Sequence, residues 1–176
     1  PIPSRGLGDV YKRQDEKTHP YQKKGRKETK RKTRSIMKNI VIIGGTKGIG
    51  KSIVSEVVEN NKVVCLSRNQ TDFSHDNYTF HNFDALVDDY PDLDSVDCLI
   101  YCPGSINLKP ISTLSLDDFR NDFELNVIGA VRAIKKYLNL LKKSESASIL
   151  LFSTVATKLG MPYHASVSVA KSGIDG

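Results

Sequence analysis

The sequence has 176 residues, which is enough for one domain with a buried core, and its formal net charge is +6. Residues 1–36 carry 12 basic and 4 acidic side chains, which leaves 14 basic and 16 acidic side chains in residues 37–176. The positive charge therefore belongs to the first segment, and the rest of the chain has a net charge close to zero.

Residues 1–36 have no apolar face and few aromatic residues, so we expect a disordered basic tail. Residues 4–14, SRGLGDVYKRQ, resemble the translation of a sequencing adapter, and Met37 resembles a natural start. We therefore expect this tail to be an artefact of adapter and upstream sequence, without function. The alternative that its charge offers is an arm that binds nucleic acid or an anionic membrane, and it fails if Met37 is the start.

No stretch is apolar for long enough to span a membrane, and the first residues have no apolar signal core. We expect a cytoplasmic protein without a membrane or nucleic-acid partner. The three cysteines, Cys65, Cys98 and Cys102, lie in or beside predicted strands, with no CxxC pair and no histidine at ligand spacing. We expect reduced, buried thiols and no metal site.

The most informative stretch is residues 39–50, NIVIIGGTKGIG, in which a short apolar run leads through four glycines into a helical pattern. Residues 39–43 are typical of a strand that is buried on both faces, and apolar residues after Lys51 recur at helical spacing. The glycines therefore lie at a strand-to-helix turn, where the backbone can approach a phosphate and the helix offers free N–H groups. This pattern predicts a nucleotide-binding turn. Such turns also occur in α/β proteins that bind nothing, and that alternative stays open.

A second buried strand is predicted at residues 62–66, and Ser67 and Arg68 follow at its carboxyl end. In a doubly wound sheet this position meets the adenosine ribose, where an acid suits a 2′-hydroxyl and an arginine suits a 2′-phosphate. Lys47 in the glycine turn adds a second cation. The pattern favours NADP(H) over NAD(H), and the alternative is an arginine that is solvated in a loop.

Three more strands are predicted, at residues 78–83, 97–101 and 147–152. A short helix is predicted around residues 86–90, and a long helix begins after Ser115, with a capping-box-like S-L-D-D, and runs to about Lys142. One apolar stripe follows this long helix, formed by Phe119, Phe123, Val127, Val131 and Ile134. The alternation of strands and helices predicts an α/β fold with a doubly wound parallel sheet.

The glycine spacing G-x-x-x-G-x-G, with Lys47 before the middle glycine, differs from the G-x-G-x-x-G fingerprint and resembles the short-chain dehydrogenase/reductase (SDR) family. The resemblance covers residues 38–176 and implies the NAD(P)-binding Rossmann fold. Members of the family continue beyond the position of Gly176, so we expect residues 37–176 to be the N-terminal part of the domain, incomplete at its C-terminal side. The resemblance also implies a small-molecule substrate and a homo-oligomer.

The cofactor contacts of the family carry over to a set of positions in this chain. They are Gly44, Thr46, Lys47, Gly48, Ile49, Gly50, Ser67, Arg68, Asp84, Ala85, Cys102, Pro103, Gly104 and Lys171. Asp84-Ala85 resembles the family's Asp-Val pair, with N-capping of the next helix as the alternative role of Asp84. Where the family has Asn-Asn-Ala-Gly, this chain has Tyr-Cys-Pro-Gly, so the two amide side chains that brace the family's sheet are absent.

The catalytic tetrad of the family is matched in part. Asn126, in FELNVIG, matches the family's Asn, which lies at a helix irregularity and holds a water in a proton relay. Thr154 stands at the position of the Ser and keeps a hydroxyl group, and Lys171 matches the Lys. The position of the Tyr is Val167, which has no proton to exchange.

In the enoyl-reductase branch of the family, the Tyr stands seven residues before the Lys, and that position is His164 here. Histidine titrates near neutrality and can serve as the acid; Tyr163 is the other candidate. The sequence therefore predicts catalytic roles for Asn126, Thr154, His164 and Lys171. The predicted activity is NADP(H)-dependent hydride transfer to or from a carbonyl, alcohol or enoyl substrate. The alternative, which the loss of the Tyr favours, is a non-catalytic NADP(H)-binding sensor.

Overall fold

A computed structural model describes residues 37–176 of the chain, so the predicted disordered tail, residues 1–36, lies outside the described residues. The described residues form a parallel sheet in the order β3-β2-β1-β4-β5. Its strands are β1 Asn39–Ile43, β2 Lys62–Ser67, β3 Tyr78–Asn82, β4 Cys98–Tyr101 and β5 Ser148–Leu151. The predicted α/β doubly wound parallel sheet is confirmed.

Four α-helices accompany the sheet in this part of the chain: α1 Gly48–Val57, α2 Leu116–Phe123, α3 Gly129–Leu141 and α4 Ala165–Asp175. A π-helical segment, Glu124–Ile128, joins α2 to α3. The predicted cap at the start of α2 is present, since Ser115 and the Asp118 carboxylate bond to each other's backbone N–H groups at 3.1 and 2.8 Å.

Strand β1 is buried on both faces of the sheet, as its unbroken apolar run predicts. Val41 and Ile43 belong to a core that includes Tyr137 of α3, whereas Ile40 and Ile42 belong to a second core with Val54 of α1. The chain leaves β1 for β2 on one side and returns to β4 on the other. The sheet therefore reverses its order between β1 and β4, and ligands of such sheets bind at the carboxyl ends of the strands beside this point.

The short helix predicted around residues 86–90 is wrong, because the chain makes a single turn there. The Asp84 carboxylate accepts a hydrogen bond from the Leu86 backbone N–H at 2.9 Å, and the Asp88 carboxylate accepts one from the Asp84 N–H at 2.7 Å. These local bonds satisfy the backbone in a turn, and Pro91 follows too closely for a helix to develop. The helix that Asp84 was alternatively predicted to cap is therefore absent, and its side chain bonds to the backbone of the turn instead.

The apolar stripe of the long helix faces the sheet only in part, through Ile134, which packs against the core on that face. Phe123 is 40% exposed and Val131 is 43% exposed, while the face against the sheet consists of Ala130, Ala133 and Tyr137. Small side chains on that face allow a close approach to β4, whereas part of the stripe packs on α4: a Cβ on Gly173 would lie 3.0 Å from Val127. The apolar stripe and the buried face of the helix therefore coincide only in part, because the buried face consists mainly of residues outside the stripe, Tyr137 among them.

Candidate functional site

The turn after β1 presents free backbone donors at the start of α1. Gly44 takes a φ of +78° and its N–H bonds to the Leu66 carbonyl at 2.8 Å, which turns the chain sharply at the strand end. Lys47 precedes α1 without capping it through its side chain, and the first turn of α1 has no acidic residue. The helix therefore begins with unpaired N–H groups and an uncompensated positive dipole, which suit an anion.

A cleft of about 510 Å³ lies at the carboxyl ends of the central strands. Most of the predicted cofactor-binding residues line it: Gly44, Thr46, Lys47, Ser67, Arg68, Asp84, Ala85, Cys102, Pro103 and Gly104. Gly48, Ile49, Gly50 and Lys171 are not among its lining residues. These lining residues follow strands β1, β2, β3 and β4, and they meet because the carboxyl ends of parallel strands lie at the same edge of a sheet.

The charge at one end of this cleft is positive. Arg68 and Lys47 are exposed and line the cleft, and neither takes part in the ion pairs of residues 37–176. Asp84 lines the same cleft, but its carboxylate is occupied by the backbone of the turn. Two free cations are thus available to an anionic ligand.

The structure holds Asn126 inside the π-helical segment, where it is 1% exposed. Its Nδ2 donates to the Asp122 carbonyl at 2.7 Å and to the Ser105 Oγ at 3.0 Å. Its Oδ1 is buried and has no hydrogen-bond partner among the described residues. A buried amide oxygen without a partner is costly, and such a group marks a place where a ligand or a water would be accepted.

Lys171 lies in α4, and its Nζ lies on the same side of Gly104 as the Asn126 side chain. A Cβ on Gly104 would lie 3.2 Å from the Asn126 Oδ1 and 3.4 Å from the Lys171 Nζ, so both groups converge on this glycine. The Lys171 Nζ donates to the Phe152 carbonyl at 2.7 Å. Burial lowers the pKa of Lys171 from its usual value, and nearby Cys102 opposes the shift. The structure therefore brings Asn126, Lys171 and Gly104 together.

Thr154 and His164 lie outside this group. The Thr154 Oγ1 accepts a hydrogen bond from the Ala156 N–H at 3.3 Å, which caps a short 3₁₀ turn. His164 stands at the N-terminus of α4, and its Nδ1 is 2.6 Å from the Pro162 carbonyl. A carbonyl oxygen only accepts, so Nδ1 carries the proton and Nε2 is left free to exchange one.

A second cavity, of about 430 Å³, is lined by His164 together with Tyr163, Ser168, Ala156 and other residues. It shares no lining residue with the cleft at the glycine turn. Tyr163, the alternative proton donor, has a φ of +64°, which is strained for a residue with a side chain. Val167, at the position of the family's Tyr, is 6% exposed within α4.

Two residues of the site were missed by the reasoning from sequence, namely Ser105 and Asp122. The Ser105 Oγ donates to the Asp122 Oδ1 at 2.5 Å and accepts from the Asn126 Nδ2. Asp122 stands four residues before Asn126, one turn away on a predicted helix, and that spacing is the signal that could have found it.

Comparison with protein families shows that residues 38–176 match the family described as short chain dehydrogenase. The chain belongs to this family. A search of curated proteins gave no match. Residues 37–176 contain no helix long and apolar enough to cross a membrane, and no group of three or more His, Cys, Asp or Glu residues that could hold a metal ion.

Solved structures with a similar fold include aldohexose dehydrogenase of Thermoplasma acidophilum in its ligand-free form, with 20% identity and a TM-score of 0.70 over 78% of this chain. ElxO with NADP bound has 21% identity and a TM-score of 0.68 over 79% of the chain. Serine dehydrogenase of Escherichia coli has 18% identity and a TM-score of 0.67 over 77%. The chain spans 57%, 64% and 71% of the length of these three proteins. At such identities the likeness shows the fold alone.

Proposed function

We propose that this chain binds NADP(H) and belongs to an oxidoreductase that transfers a hydride to or from a carbonyl, alcohol or enoyl substrate. The observation that carries the proposal is the cleft at the carboxyl ends of the strands, lined by the glycine turn and by two free cations. When bound, the cofactor would supply or accept the hydride. Membership of the short-chain dehydrogenase family and the NADP found in ElxO both support this reading.

The residues of the cleft fit a dinucleotide. Gly48 has a φ of +51° and open space around the position of a side chain, so a phosphate can reach the first N–H groups of α1. Asp84 and Ala85 would contact the adenine, and Cys102, Pro103 and Gly104 would lie along the nicotinamide ribose. Lys171, whose Nζ lies beside Gly104, would hold that ribose.

A preference for NADP(H) over NAD(H) follows from Arg68 and Lys47, which can both reach a 2′-phosphate. A charged hydrogen bond of this kind contributes about 1.5–3 kcal/mol, or about 10- to 150-fold in dissociation constant. Arg68→Asp should therefore reverse the order of the two affinities in calorimetry. Arg120→Asp, on the exposed side of α2, is the matched control and should leave the order unchanged. Equal affinities in the wild-type protein would contradict the assignment.

In the proposed chemistry Thr154 polarises a substrate oxygen with its hydroxyl group. Lys171 and Asn126 place their own polar atoms, Nζ and Oδ1, beside the reacting centre. His164 would exchange the proton through Nε2, because its Nδ1–H is committed to the Pro162 carbonyl. This role requires the substrate to extend from the cleft into the cavity that His164 lines. Tyr163 lines the same cavity and is the second candidate for the proton donor.

A non-catalytic NADP(H)-binding sensor is the second candidate function, and buried Val167 at the position of the family's Tyr favours it. Turnover of NADPH with a panel of small carbonyl and enoyl compounds distinguishes the two. Binding of NADPH with turnover of at least one compound supports the enzyme, and tight binding without turnover of any compound supports the sensor.

We also propose a homo-oligomer in the cytoplasm. Exposed apolar side chains on α2 and α3, namely Phe123, Val131 and Leu138, support the oligomer, and free cysteines fit a reducing compartment. Sedimentation velocity of the wild-type protein and of a Val131→Glu variant would test the first point. Faster sedimentation of the wild type is the expected result, and identical monomer profiles would contradict it.

A further inference from the structure

The orientation of the Asn126 amide is fixed by two neighbours that the proposed function does not use. Its Nδ2 has both hydrogens committed, one to the Asp122 carbonyl at 2.7 Å and one to the Ser105 Oγ at 3.0 Å. Turning the amide over would place Oδ1 against the Asp122 carbonyl, which can only accept. The amide nitrogen therefore faces α2, and the oxygen faces the opposite way.

The Ser105 hydroxyl has its own direction fixed by Asp122. The Ser105 Oγ is 2.5 Å from the Asp122 Oδ1, and a carboxylate accepts only, so the hydroxyl proton points to Asp122. Its lone pairs are then left to accept from Asn126. Carboxylate, hydroxyl and amide thus form one chain of hydrogen bonds in which each group sets the direction of the next.

This series of hydrogen bonds fixes the position of the Asn126 Oδ1. The oxygen lies buried without a partner among residues 37–176, and it converges with Lys171 Nζ on the side of Gly104 where a Cβ would stand. A water or a substrate hydroxyl there could accept from the ammonium and donate to the amide oxygen. Because Val167 has no proton to exchange, the Asn126 Oδ1 and the Lys171 Nζ are the polar groups available beside Gly104.

We propose that Asp122 and Ser105 are positioning residues, which hold the Asn126 amide so that its oxygen converges with the Lys171 Nζ on the same side of Gly104. The proposal rests on the proposed function and deepens it, because it adds two residues to the same site. A purely structural role for Asp122 is the competing explanation. Asp122 is 3% exposed and its Oδ2 has no hydrogen-bond partner among the described residues, whereas a purely structural role would call for both oxygens to be paired.

The side-chain amide signal of Asn126 tests the orientation without reference to activity. In ¹⁵N-labelled protein it is the amide pair that disappears in Asn126→Ala. In Ser105→Ala one of its two protons should move upfield and exchange with solvent at least tenfold faster. Ser105→Thr, which keeps the hydroxyl, should restore the wild-type signal, and Ser172→Ala, whose hydroxyl bonds within α4, is the matched control. Identical signals in the wild type and in Ser105→Ala would overturn the proposal.

Stability and kinetics separate positioning from structure. Asp122→Asn removes a buried charge and keeps an acceptor, so its Tm should equal or exceed that of the wild type, while its NADPH-dependent turnover falls about 10- to 100-fold at unchanged NADPH affinity. A large loss of Tm with turnover intact would assign Asp122 a structural role and overturn the proposal. A wild-type protein that binds no NADPH would refute the proposed function instead. The amide signal of Ser105→Ala would still decide the orientation in that case.

Discussion

Replacement of Gly48 by alanine should separate phosphate binding from folding. Gly48 has a φ of +51°, and a Cβ there would have no heavy atom within 4 Å. The cost to folding is then the left-handed backbone alone, about 1–2 kcal/mol, which lowers Tm by about 3–7 °C. The new methyl group would stand where a phosphate has to approach the start of α1. We expect NADPH affinity to fall about 10- to 150-fold, as for the loss of one charged hydrogen bond.

Gly50→Ala is the matched substitution, two residues along the same turn. A Cβ there would overlap the Gly44 carbonyl oxygen and lie 3.0 Å from the Gly44 carbonyl carbon and 3.1 Å from the Gly45 Cα. These atoms form the backbone of the turn and cannot give way singly, so we expect a loss of about 3 kcal/mol or more. Thermal melting and calorimetry with NADPH would measure both variants. Wild-type affinity in Gly48→Ala would refute the phosphate contact, and wild-type stability in Gly50→Ala would refute the packing argument.

His164→Ala should lower NADPH-dependent turnover about 10²- to 10⁴-fold with little change in NADPH affinity, and unchanged turnover would move the proton-donor role to Tyr163. Asp97→Ala should cost about 1 kcal/mol in urea unfolding at pH 7, because the partly exposed carboxylate accepts from the Asn39 N–H at 2.8 Å and the Ser144 hydroxyl at 2.6 Å. These bonds lower the pKa of Asp97. The stabilisation is therefore complete above the unfolded pKa of about 3.9 and is lost as pH falls through the lowered folded pKa. A difference between wild type and Asp97→Ala that persists at the lowest pH would contradict this.

The strands could be predicted from the sequence because parallel strands buried on both faces are short apolar runs with abrupt ends. Strand β1 was predicted with its observed bounds, Asn39–Ile43. The orientation of the long helix could not be predicted from its apolar stripe, since the buried face is formed mainly by Ala130, Ala133 and Tyr137, which lie outside the stripe. The spacing of apolar residues shows which face of a helix is most apolar, but the packing of the helix against its neighbours determines which face is buried.

The cleft could be predicted because topology alone brings the carboxyl ends of parallel strands together. Arg68 and Lys47 could be assigned to the cleft from the sequence, because Arg68 directly follows β2 and Lys47 lies in the turn after β1. The contact of Asp122 with Ser105 depends on a loop after β4 reaching α2, and Asn126 turns inward within a π-helical segment, Glu124–Ile128. A π-helix breaks the 3.6-residue period on which the prediction of helix faces depends, so helical periodicity alone could not show that Asn126 faces inward.

The Cys102 thiol should react with iodoacetamide far more slowly in the folded protein than in the unfolded chain. Burial, with a smaller contribution from Cys65, raises the pKa of Cys102 to about 11, and Lys171 opposes the shift. The thiolate is the reactive form, and two pKa units lower its fraction at pH 8 about 100-fold. The rate in the folded protein should therefore rise about tenfold per pH unit between pH 8 and 10.

Peptide mass spectrometry of Cys102 after timed alkylation would measure this rate in native buffer and in urea. A folded-state rate equal to that in urea would contradict the assigned environment. The expected result has a consequence for the site, because a thiol that stays neutral at physiological pH adds no negative charge to the cleft. The Lys171 ammonium then has no thiolate beside it, and an anionic cofactor meets no repulsion from Cys102, which replaces one of the family's two amide side chains.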